Sequence, residues 1–209
     1  MTTKVLTAPA YEPISLAEAR AWLRLEPDET DNTTILQILI KAMREQAELL
    51  TGRAFISRTL RADLPGWPCD GRYGYKIDLD APPLISVESV KYIATDGTLT
   101  TLAASQYDVY TGVEPGYILP AYNVVWPSVR YVPNAVQVSY TAGYPAGSPS
   151  DEQGAQSNIP AAVRLWMQTR LATLYENREQ IVIGSAVAEI PRDFTDGLLD
   201  TLIIGQRMF

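Results

Sequence analysis

The order of hydrophobic patterns constrains this chain more than any single residue: two helical stretches, about a hundred residues of strand and turn, then helices again. The first stretch opens at Ile14-Ser15-Leu16-Ala17-Glu18, where Ser15 and Glu18 match a capping box. A short helix is expected to about Leu25, stopped by Pro27. Asp31 is the expected N-cap of a second helix, in which Leu36, Ile40, Met43, Ala47 and Leu50 form one stripe. Ile35, Ile38, Leu39 and Ala42 widen its apolar surface over the first half, and Gly52 supplies the stop. Lys41, Arg44, Glu45 and Glu48 gather on the remaining face, in pairs four apart.

The middle changes period. Ile56, Leu60, Ala62 and Leu64 alternate with Ser57, Thr59, Arg61 and Asp63, the pattern of a half-buried strand. Val136, Val138 and Tyr140 repeat it against Gln137, Ser139 and Thr141. Asp96-Gly97 between two strand-like runs predicts a two-residue hairpin turn, and short strands are expected at Tyr107–Tyr110 and Tyr117–Leu119. Prolines at 65, 68, 82, 83, 115, 120, 127 and 133 favour short strands in an irregular sheet. After a Gly/Ser/Pro-rich loop, Asn158-Ile159-Pro160 starts a third helix with Val163, Trp166, Met167, Leu171, Leu174 and Tyr175 inside. A final helix is expected from Asp193, with Asp196 supporting its start, and ends at Gly205.

These patterns predict an α+β fold: a helical bundle core of about four helices with a β-sheet insertion between helix 2 and helix 3. Residues 1–54 and 159–209 are assigned to the helical core, 55–144 to a β arm and 145–158 to a loop.

Composition removes most chemistry. The 209 residues contain no histidine and one cysteine, Cys69, so the commonest general base is missing and transition-metal sites are not expected. Cys69 is expected to be a small turn residue, with no disulfide to form. No apolar run has the length of a membrane span or secretory signal, which predicts a soluble protein that stays in the cell that makes it. The net charge of −7 is spread evenly, with no basic stripe to grip nucleic acid. Asp78 and Asp80 could share a strand face as a carboxylate pair, although a solvated face explains them as well. The 12 tyrosines and 4 tryptophans suit sheet cores and interfaces, or a sugar groove. No phosphate-loop motif occurs, so no catalytic residue and no cofactor is expected.

Ile14-Ser15-Leu16-Ala17-Glu18-Ala19, Trp22-Leu23-Arg24, and a helix ending Ala47-Glu48-Leu49-Leu50-Thr51-Gly52-Arg53 resemble the start of tailed-phage head–tail connector (adaptor) proteins, whose relatives also occur in gene transfer agents. The run Pro82-Pro83-Leu84-Ile85-Ser86-Val87-Glu88-Ser89-Val90-Lys91-Tyr92 with Asp96-Gly97-Thr98 resembles their β insertion. Thr141-Ala142-Gly143-Tyr144 and Leu174-Tyr175-Glu176-Asn177-Arg178-Glu179 resemble the return to the core.

That resemblance implies a non-enzymatic virion or particle component at the head–tail interface, made in the host cytoplasm. It implies a homo-oligomeric ring of about 12 copies beneath the portal, through which DNA passes without sequence-specific binding. The expected partners are the portal protein and a stopper or tail-side connector, with no membrane. Acidic residues facing the channel would keep the duplex from sticking. Ile203, Ile204, Gln206, Arg207, Met208 and Phe209 are the expected portal-docking tail. Lys41, Arg44, Glu45, Glu48, Arg164, Arg170 and Arg178 are the expected inter-subunit ion-pair set. A stopper or tail-completion role in the same particle, and a carbohydrate-binding β module, are the competing readings.

Overall fold

The computed structural model of the chain describes residues 1–26, 32–68, 75–147, 156, 158–176 and 197–204. It is α+β and divides into two compact units. One unit comprises Met1–Ala10 with Ile56–Pro145, and the other Tyr11–Phe55 with Ala146–Phe209. The first ten residues therefore belong with the strands, a correction to the expectation that residues 1–54 are all helical core.

The β unit holds two antiparallel sheets. The larger has the order β1 (Thr2–Val5), β2 (Arg58–Leu64), β8 (Val136–Ala142), β4 (Leu84–Ile93), β5 (Leu99–Leu102). The smaller runs β3 (Ile77–Asp78), β7 (Tyr117–Pro120), β6 (Tyr107–Tyr110). Leu60, Val90, Val136, Val138 and Tyr140 from the larger sheet and Ile77, Tyr107 and Ile118 from the smaller meet in one buried apolar cluster. The alternation expected for β8 is observed, with Val136, Val138, Tyr140 and Ala142 buried and the residues between them half-exposed. Two register shifts in β4, between Leu84 and Ser86 and between Val87 and Ser89, break its pairing with β8.

The β4–β5 hairpin departs from the two-residue turn expected. Ala94 and Thr98 pair through Ala94 N–H to Thr98 C=O (2.9 Å), so three residues close the loop. Gly97 takes φ +93°, the left-handed position such a loop requires. Asp96 accepts from both the N–H (2.8 Å) and the hydroxyl (2.7 Å) of Thr98, which pulls its carboxyl pKa down.

In the helical unit, α1 (Leu16–Trp22) begins with the predicted capping box: Ser15 Oγ accepts from Glu18 N–H (3.2 Å), and Glu18 accepts from Ser15 N–H (2.8 Å). It ends at Leu23, earlier than expected. α2 (Thr33–Thr51) is flanked by Asn32 rather than Asp31, which lies outside the described residues, and stops at Gly52. α3 (Ala161–Glu176) follows Pro160. Leu36, Ile40, Met43 and Ala47 of α2 are buried, as are Val163, Trp166, Met167 and Leu171 of α3, and the two helices pack together. A helical stretch at 197–200 buries Leu199. The expected helix start at Asp193, with Asp196, lies outside the described residues, as does Gly205.

Candidate interaction surfaces

The side chains with potential chemistry are committed elsewhere. Asp78 pairs with Lys76 (2.6 Å), while Asp80 accepts the Thr3 hydroxyl (2.7 Å), so the two carboxylates serve different partners. Among the described residues no group of three His, Cys, Asp or Glu is placed to hold a metal. Among those residues, too, no helix is long and apolar enough to cross a membrane. Cys69 lies outside the described residues.

The polar face expected on α2 is partly an interior. Arg44 and Glu48 are only 4% and 9% exposed. Arg44 donates through Nε to Glu12 (2.8 Å) and through Nη1 to Glu48 (2.7 Å). Glu48 also accepts from the Phe55 N–H (3.1 Å), so the carboxylate ties the end of α2 to the chain beyond Gly52. Burial opposes the charge on Arg44, but Glu48 and Glu12 outweigh it and raise its pKa. Burial likewise lifts the Glu12 carboxyl above its usual range, against the opposing pull of Arg44. Arg44 and Glu48 are thus spent inside the subunit, a correction to their place in the inter-subunit set.

The other members of that set separate. Lys41 and Glu45 stay exposed on α2, with Glu45 3.5 Å from Arg44. Arg164 is ion-paired with Glu18 of α1, and Arg170 lies over the Trp166 ring, 5.2 Å from its centroid. Arg178 lies outside the described residues.

The expected docking tail divides as well. Ile204 donates its N–H to Thr51 C=O (3.0 Å), and Leu202 C=O accepts from Arg53 Nε. Ile203 and Ile204 are half-buried, and Ile204 is held at the end of α2. Gln206, Arg207, Met208 and Phe209 lie outside the described residues.

Two apolar surfaces face outward instead. On α2, Ile35, Ile38 and Leu49 are 39%, 62% and 84% exposed, with exposed Ala42 between them. Leu50, expected in the buried stripe, is also exposed, because the buried face has turned toward Arg44, Glu48 and Thr51. The sequence signal for this surface was present in the widened apolar pattern at 35, 38 and 42, but pattern alone reads such residues as core.

The second surface is a cleft in the β unit. Trp67 and Trp126 stack with ring centroids 4.3 Å apart and planes 4° from parallel. Their ring N–H groups donate to Pro127 C=O (2.7 Å) and Tyr75 C=O (2.9 Å). Around them a cleft of about 280 Å³ is walled by Tyr75, Val125, Ser128 and Tyr131 among others. Among the described residues, its side-chain polar groups are hydroxyls and the two engaged indoles.

Neither a protein-family model nor a curated protein matches the sequence. Solved structures do match. A chain in the neck of an empty GTA particle, computed with C6 symmetry, has a TM-score of 0.71 at 22% identity, covering 97% of this chain and 95% of that one. A chain in the virion of a native gene transfer agent particle gives the same values. A chain in the neck of a native GTA particle, computed with C12 symmetry, has a TM-score of 0.66 at 21% identity and the same coverage. Over nearly its whole length, this chain has the fold of a protein from gene-transfer-agent particles.

Proposed function

We propose that this protein is a non-enzymatic structural subunit of a particle neck: a head–tail connector (adaptor) that forms a ring beneath the portal and leaves a passage for DNA. The observation that carries this reading is the likeness in fold over 97% of the chain to proteins of a gene-transfer-agent neck. The cyclic symmetry of those necks supports a ring here, with about 12 copies as the working number. An even net charge of −7 per copy fits a wall that passes DNA without holding it.

In this reading the helical unit builds the ring wall, and the β unit faces the next component toward the tail. The chain is pinned at Ile204 to the end of α2, and Gln206–Phe209 are proposed to dock on the portal. A stopper or tail-completion role differs only in axial position within the particle. The carbohydrate reading is weaker, because sugar hydroxyls call for fixed donors and acceptors, and the two indole N–H groups of the cleft are already engaged by the Pro127 and Tyr75 carbonyls.

Deleting Gln206–Phe209 tests the docking role. Particles should then lack tails or leak DNA, while the purified protein keeps its wild-type thermal midpoint. Unchanged infectivity or gene transfer would defeat the portal-docking assignment.

A further inference from the structure

The outward face of α2 has the spacing of a helix-packing seam. Ile35, Ala42 and Leu49 are seven residues apart, with Ile38 between the first two. Ile38 and Leu49 are more than half exposed, and the largest apolar patch on a typical monomer, about 300–600 Å², is often functional. A stable interface takes about 800 Å² from each partner, so this stripe can supply the apolar centre of one.

α3 carries a second seam. Ala161, Leu165, Gln168 and Ala172 recur at spacings of 4, 3 and 4, all exposed or half-exposed. They lie opposite the buried residues Val163, Trp166 and Leu171, just as the α2 stripe lies opposite Leu36, Ile40 and Met43. α2 and α3 pack together and each also meets α1, so both seams lie on the outward sides of their helices. One seam is bulky, and the other has alanines at both ends. Large side chains can therefore enter the space that small ones leave.

We propose that copies of this protein join head to tail, with the α2 stripe of one copy seated on the Ala161–Ala172 face of α3 in the next. This deepens the ring reading and rests on it. Two different faces of one unit make a heterologous contact, which propagates from copy to copy and closes when the rotation allows. The contact is apolar apart from Gln168, with Lys41 and Glu45 at its rim to set register. The buried Arg44–Glu48 pair takes no part.

The test uses the full chain, alone and with portal, followed by native mass spectrometry. One variant carries Ile38→Glu and Leu49→Glu; the other carries Leu165→Glu and Ala172→Glu. Wild type should assemble and each variant should remain monomeric. An equimolar mixture of the two should give 1:1 dimers, because one intact α2 face still meets one intact α3 face. Wild-type assembly matched by both variants would overturn the proposed contact and leave the ring standing. Dimers of the α3 variant alone would indicate α2-to-α2 packing and also overturn it. A fall of many degrees in the thermal midpoint of the monomeric α2 variant would mean that its own chain covers the stripe, with the same consequence. A wild-type chain that stays monomeric with portal present would reject the ring reading itself.

Discussion

Arg44 Nη1 sits 2.7 Å from Glu48 Oε2, one helical turn away on α2, and both side chains are buried. The pair survives burial because its remaining polar atoms are engaged: Glu12 meets Arg44 Nε and the Phe55 N–H meets Glu48. It fastens three separate segments of the helical unit at one point. Removing one member leaves an uncompensated charge in the interior. Arg44→Met should cost about 3–5 kcal/mol in urea denaturation. Lys41→Ala, on the exposed side of the same helix, should cost under about 0.5 kcal/mol.

Glu12 gives the same cluster a pH signature. Its folded-state pKa lies above the unfolded value, so the folded chain holds this proton longer than the unfolded one. The group's contribution is fully present below the unfolded pKa and is lost as pH rises through the folded pKa. Urea midpoints taken from pH 4 upward should contain this falling component. In Glu12→Gln it should be absent, and the variant's stability should rise relative to wild type across that window.

Gly143 ends β8 at φ +112°, and a Cβ there would lie 2.3 Å from the Ile56 carbonyl oxygen and 2.8 Å from the Ser57 nitrogen. Both obstacles are backbone, held by Ser57 N–H to Tyr144 C=O and Gly143 N–H to Pro83 C=O. Gly143→Ala should therefore destabilise by about 2 kcal/mol or more. Gly112→Ala meets nothing within 4 Å and should shift the thermal midpoint little.

What could be read from sequence follows the range of the interaction that fixes each element. The capping box at Ser15, the stop at Gly52 and the alternation of Val136, Val138 and Tyr140 depend on neighbours in the chain, and all three appear as expected. The β4–β5 loop and the end of α1 were misread locally, whereas the larger misreadings come from long-range partners in the N-terminal segment. Thr2–Val5 is too short to show a period, and it becomes a strand by pairing with Arg58–Leu64's far half, Thr2 opposite Asp63. That pairing brings Lys4 to 3.0 Å from Asp63, so a residue expected on a solvated face is buried. Glu12 does the same for Arg44, turning the buried face of α2 away from Leu50. The outward stripe at Ile35, Ile38 and Leu49 was visible only as excess apolarity. Arg44 and Glu48 occupy the inward face in its place, which leaves the stripe outside.

We propose that this protein is one copy in a ring at the junction of head and tail. Cryo-electron microscopy of the neck of particles carrying the chain tests it most directly. A cyclic ring of this fold is expected immediately below the portal, with the segment after Ile204 reaching toward the portal. Finding the chain on the far side of that junction, or missing from the neck, would contradict it.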